Sequence, residues 1–148
     1  MSSKAVSDYL EFLPGKVSVL VPPAAVALLL RLWGLRHGLP FVYNIDEGTH
    51  FVPKAVALFG HDWNPHYFVN PPLLTYVLHL VFAVWFGGGD GVRTALATHP
   101  GEVYEVARVV VALLGTASVG LLYLAGTRLG GRALGILAAA VLAVAFLP

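Results

Sequence analysis

Three apolar runs, Val17 to Leu35, Val103 to Leu124 and Ala133 to Pro148, constrain this chain more than any other feature, because few water-soluble folds can bury them all. At about 1.5 Å of rise per residue the first run reaches roughly 28 Å as a helix, enough to cross the hydrocarbon core of a bilayer. The second opens with Glu102, Tyr104, Glu105 and Arg108 and closes at Gly126 and Arg128. The third is shorter than the ~20 residues a spanning helix usually needs. Composition agrees: 57% of residues are hydrophobic and 11% charged, whereas soluble domains carry about a quarter charged residues. The expected fold is all-α, with multi-pass transmembrane helices at about 17–35, 103–125 and 133–148 and a long external loop at about 36–102 carrying amphipathic juxtamembrane helices. No polar flank follows the third run, so the sequence reads as the amino-terminal part of a membrane protein, and the fragment is expected to be inactive alone.

The remaining composition excludes classes rather than choosing one. Without cysteine there are no disulfides and no thiolate metal sites. Lys and Arg are scattered and do not alternate with aromatics, so no nucleic-acid partner is expected. Near the end of the first run, Arg31 and Trp33 read as a snorkelling cation beside an interfacial aromatic, with a phosphate contact as the alternative.

Inside the loop, Thr49 to Phe59 has Phe51, Val52, Ala55, Val56 and Phe59 on one face and His50 and Lys54 on the other, the pattern of a helix lying along a membrane surface. Pro53 must begin or bend it, and Gly60 ends it. Leu73 to Phe86 is short for a perpendicular span and fits an interfacial or re-entrant helix. Its Thr75, Tyr76 and His79 share a face, which suits an amphipathic placement. If this segment stays at the surface, the Lys4 and Lys16 tail and the Arg128 to Arg132 turn share the cytoplasmic side, as the positive-inside bias favours. Gly87 to Gly91 reads as a flexible turn.

Chemistry is expected where ionised groups lie beside the bilayer. Asp46 and Glu47 follow the first run directly. A carboxylate there can act as general base, and its immediate neighbour points elsewhere, so Asp46 is the candidate base and Glu47 a supporting acid. Arg108, in the first turns of the second run, is the candidate partner, because an unpaired guanidinium would be costly. His61, Asp62 and His66 raise a divalent cation as an alternative, but no His-x-x-x-His helix is present and Pro65 interrupts the segment, so no metal is assigned. Trp63, Tyr67 and Phe68 suit interfacial anchors, with a sugar-stacking platform as the second use. Pro71-Pro72 fixes an extended entry into the next helix.

The order Asp46-Glu47, amphipathic helix, Gly60-His61-Asp62-Trp63, Tyr67-Phe68-x-x-Pro71-Pro72-Leu73, Arg108 and Gly130-Gly131-Arg132 resembles the opening of a polyprenyl-phosphate-dependent glycosyltransferase of the C-type fold. The likeness is to the protein O-mannosyltransferase and lipid A aminoarabinose transferase superfamily, and it covers roughly Arg31 to Pro148. It implies inverting transfer of a sugar from a lipid-linked donor to an acceptor on the external face of the cell membrane, with Asp46 catalytic and Glu47 and Arg108 supporting it. On that reading Asp62, His66, Tyr67 and Asn70 are the candidate substrate-binding residues. One departure is Val69-Asn70, where some relatives carry an acid ahead of the proline pair; it argues against carrying over metal binding or an aminoarabinose substrate. A transporter or scaffold subunit with an acidic external loop is the alternative from another class.

Overall fold

Gly34 decides where the first helix stops. The helix α1 occupies Val21–Leu32, and Gly34 at φ 77° takes the chain out of helical geometry before the expected Leu35. This computed structural model describes residues 21–42, 44–60 and 62–145. Expectations for the Lys4 and Lys16 tail, the start of the first run, His61 and the end of the third run lie outside the described residues. All the regular elements among the described residues are helical. They divide into two compact units, residues 34–110 and the remaining chain, 1–33 with 111–148.

In the unit made of 1–33 and 111–148, the central element belongs to α5, Pro100–Val144, whose helical geometry breaks at Gly130 (φ −140°, ψ 21°) and Gly131 (φ 79°, ψ −177°). These two glycines separate a leg at 100–129 from a leg at 132–144. The legs fold back on one another: Val119 and Tyr123 from the first cluster with Ala139 and Ala143 from the second, and Ala27 of α1 joins them. Small residues make this approach feasible. A Cβ on Gly126 would stand 2.9 Å from the Cα of Gly135, and one on Gly135 would stand 2.8 Å from the Tyr123 carbonyl oxygen. Gly135, Ala139 and Ala143 recur every fourth residue, the spacing by which helices in apolar surroundings bring their backbones together.

Arg31 meets the end of the second leg of α5. Its guanidinium donates to the carbonyls of Ala27 (3.1 Å), Leu142 (3.3 Å) and Ala143 (3.4 Å), the last two at the end of the second leg. A helix end leaves its final carbonyls without partners, and a cation there satisfies them and opposes the negative end of the dipole. Gly115 leaves room for this side chain, since a Cβ there would meet Arg31 Nε at 2.7 Å.

The second unit is built around α2 (residues 47–60), α3 (Leu73–Trp85), α4 (Gly89–Thr98) and the first turns of α5. α2 begins with a wide turn, Glu47–Phe51, in which the Val52 N–H donates to the Glu47 carbonyl, continues as a regular helix over Val52–Ala57 and tightens at Leu58–Gly60. Pro53 accounts for the wide turn: it has no N–H to donate, and its ring pushes away the carbonyl four residues back. Val52, Ala55 and Val56 are buried with Leu78, Phe82, Val92, Val103 and Ala107. The apolar face of α2 is therefore spent on the core of its own unit rather than laid along a membrane surface, because α3, α4 and α5 supply partners that its periodicity could not reveal.

α3 is turned the other way from the amphipathic placement expected. Thr75 and His79 are buried, with the His79 Nδ1–H donating to the Ala55 carbonyl (3.1 Å) and the ring between Phe59 and Trp63. Leu73, Leu80, Val84 and Trp85 are exposed instead. His79 faces inward because its ring finds a carbonyl and two aromatic partners there. The glycine run is also only partly a turn: Gly87 (φ 73°) and Gly88 (φ 108°) reverse the chain, but Gly89 and Gly91 already belong to α4, a helix the sequence reading missed. Among the described residues one helix, Pro100–Val144, is long and apolar enough to cross a membrane; α3 and α4 would add a second only as a pair bent by 91°.

Candidate functional site

Glu47 and Arg108, 61 residues apart, form a two-pronged ion pair, Nε to Oε1 at 2.8 Å and Nη2 to Oε2 at 2.9 Å. The same guanidinium donates from Nη1 to the carbonyls of Leu35 (2.8 Å) and His37 (2.9 Å). One side chain thus joins the start of α2, the connecting segment after Gly34 and the first turns of α5. The planar fork of arginine matches a carboxylate in a way a lysine cannot. Both partners are largely covered, with side-chain exposures of 22% and 15%, so each would be costly to leave alone. Arg36 adds a neighbouring tie through Glu105 at 2.8 Å, and that carboxylate raises the guanidinium's already high proton affinity. Arg36, Pro40, His99, Glu102 and Glu105 line part of an open cavity of about 470 Å³ beside this tie.

Asp46 stands next to that anchor and is not consumed by it. Its backbone N–H donates to Asn44 Oδ1 (3.0 Å). Its side chain is exposed, and among the described residues the carboxylate enters no hydrogen bond or ion pair. An unspent carboxylate acceptor is what a general base requires.

The segment after α2 is held by local chemistry. The Asn64 N–H donates to Asp62 Oδ1 (2.8 Å) and the His66 N–H to Asn64 Oδ1 (2.9 Å), two successive side-chain turns that share Asn64, with Pro65 inside the second. These turns hold His66 at φ 50° and bring its Nε2 to 2.6 Å from Asp62 Oδ2. The backbone N–H of Asn64, and secondarily His66, keep the Asp62 carboxyl below its usual range. Tyr76 Oη donates to the Trp63 carbonyl (2.9 Å), tying the segment to α3.

Of the residues singled out from sequence, the structure joins Glu47 to Arg108, Asp62 to His66, and Tyr67 to Asn70, whose Nδ2 donates to the Tyr67 hydroxyl at 3.3 Å. Asp62 and His66 form no hydrogen bond or ion pair with Asp46, Glu47 or Arg108. Tyr67 reaches α2 by another route: its ring stacks on His50, centroids 4.2 Å apart and planes within 8°. The sequence pattern places His50 only on a polar face. The available signal was its place one turn after Asp46. Among the described residues no three His, Cys, Asp or Glu side chains are grouped to hold a metal ion. No protein family, characterised protein or solved structure matches this chain.

Proposed function

We propose that this chain forms part of a multi-pass membrane glycosyltransferase that moves a sugar from a polyprenyl-phosphate donor to an acceptor at the external face, with Asp46 as general base. The observation that carries the reading is the Glu47–Arg108 fork, which fixes the backbone bearing Asp46 at the head of the long apolar helix while leaving the Asp46 carboxylate unspent. In the reaction, Asp46 takes the proton of the acceptor hydroxyl as its oxygen attacks the anomeric carbon. The bond from that carbon to the phosphate oxygen breaks on the opposite side, its electron pair leaves with the polyprenyl phosphate, and the configuration inverts. The outward apolar side of α3 and the small-residue packing of the α5 legs support apolar surroundings.

Asp46→Asn keeps size and polarity and removes basicity. In membranes containing the intact gene product, supplied with radiolabelled polyprenyl-phosphate sugars one at a time, this variant is expected to lose transfer by at least about 100-fold, the usual worth of a positioned base. Near-normal transfer by a well-inserted Asp46→Asn protein rejects the assignment.

A further inference from the structure

We propose that His50 is a positioning residue of the Asp46 site, holding the Tyr67 ring so that its hydroxyl hydrogen is available to an oxygen of the bound sugar. This rests on the glycosyl-transfer reading above and extends it to a residue that reading does not use.

His50 follows Asp46 by four residues, one helical turn along the wide start of α2, so the two are carried by the same stretch of backbone that Glu47 and Arg108 anchor. Its imidazole lies flat on the Tyr67 ring. Among the described residues no hydrogen bond joins residues 67–70 to α2, so this ring stack is the specific link registering that segment against Asp46. The polar groups around it are unspent. The Tyr67 oxygen accepts from Asn70 Nδ2, which leaves the phenolic hydrogen free to donate. Among the described residues neither that hydrogen nor either His50 ring nitrogen has a hydrogen-bond partner, and both side chains are only half-buried. An imidazole nitrogen four residues along α2 from an exposed carboxylate, with a phenolic donor stacked on it, suits a ligand rich in hydroxyl oxygens, while Asn70 donates to the phenol oxygen. Stacked rings restrict one another without hydrogen bonds, so a phenyl ring at position 50 should serve as the imidazole does.

The test uses the intact gene product in membranes and the radiolabelled polyprenyl-phosphate sugar that the wild type consumes. His50→Ala is expected to raise KM for the donor roughly three- to tenfold with kcat within about twofold, and His50→Phe to restore KM. Tyr67→Phe, which keeps the stack and removes the hydroxyl, is expected to raise KM by a similar factor. Equal membrane yields and melting temperatures separate these effects from misfolding, and if His50→Ala fails to accumulate, His50→Phe against Tyr67→Phe decides. An unchanged KM in His50→Ala, a His50→Phe protein as impaired as His50→Ala, or an unaltered Tyr67→Phe overturns the proposal. Asp46→Asn is assayed alongside: full transfer by that variant removes the parent reading, whereas its loss together with an indifferent His50→Ala removes only the role of His50.

Discussion

Arg108 concentrates the unit at 34–110 on one side chain, since it satisfies Glu47 and two carbonyls of the segment after Gly34 together. Arg108→Lys keeps the charge but loses the fork, and is expected to destabilise the protein by about 2 kcal/mol. Arg108→Ala, which strands Glu47, should approach the ~3 kcal/mol lower end for a broken buried pair, because part of the pair still meets solvent. Thermal denaturation in a fixed detergent measures both; a lysine variant that melts with the wild type contradicts the fork's importance. Asp62 gives a prediction in pH. Its folded carboxyl is depressed, so its contribution is complete above the unfolded value of about 3.9 and is lost as pH falls through the lower folded value. The 62–66 turn should therefore loosen only in that acid window. A tryptophan-fluorescence titration compared with Asp62→Asn, which has no carboxyl to titrate, should show a transition confined to the wild type, and matching curves would contradict it.

At the scale of elements, glycine and proline act locally and leave readable marks. Gly34, Gly131 and Pro53 end, reverse and widen helices where backbone sterics require it. Gly135 serves a different purpose, permitting contact between the two legs of α5. Gly135→Ala places a methyl 2.8 Å from the Tyr123 carbonyl oxygen and 3.0 Å from the Thr127 nitrogen, so the legs must separate at a cost of about 1–3 kcal/mol. Gly60→Ala, with nothing within 4 Å of the added carbon, should stay within about 0.5 kcal/mol. Melting both variants in one detergent checks the contrast, and equal shifts would mean that the legs are not packed through Gly135. α3 carries the opposite lesson. Its period showed two faces correctly, but Thr75 and His79 on the polar one are buried, His79 because its ring nitrogen finds the Ala55 carbonyl on α2.

For the whole molecule, burial inside the protein leaves much of the apolar surface uncovered. On α5 alone, Leu113, Leu121, Leu129, Leu137 and Val141 are exposed, large apolar side chains that a bilayer would cover. The intact gene product should therefore stay with the membrane pellet through alkaline carbonate extraction; its release into the supernatant would oppose membrane embedding. What the sequence determined by itself was the helical class and the breaks at Pro53, Gly60 and Gly130-Gly131, since apolar runs, glycine φ preferences and the missing proline N–H all act within a few residues. Even the meeting of Glu47 with Arg108 was open to reasoning, because a covered guanidinium must find an anion. Tertiary structure alone decided that α2 turns its apolar face into its own unit, that α3 turns Thr75 and His79 inward, that Arg31 meets the last carbonyls of α5, and that His50 meets Tyr67. Those outcomes depend on which surfaces come together across dozens of residues, and local periodicity carries no record of the partner.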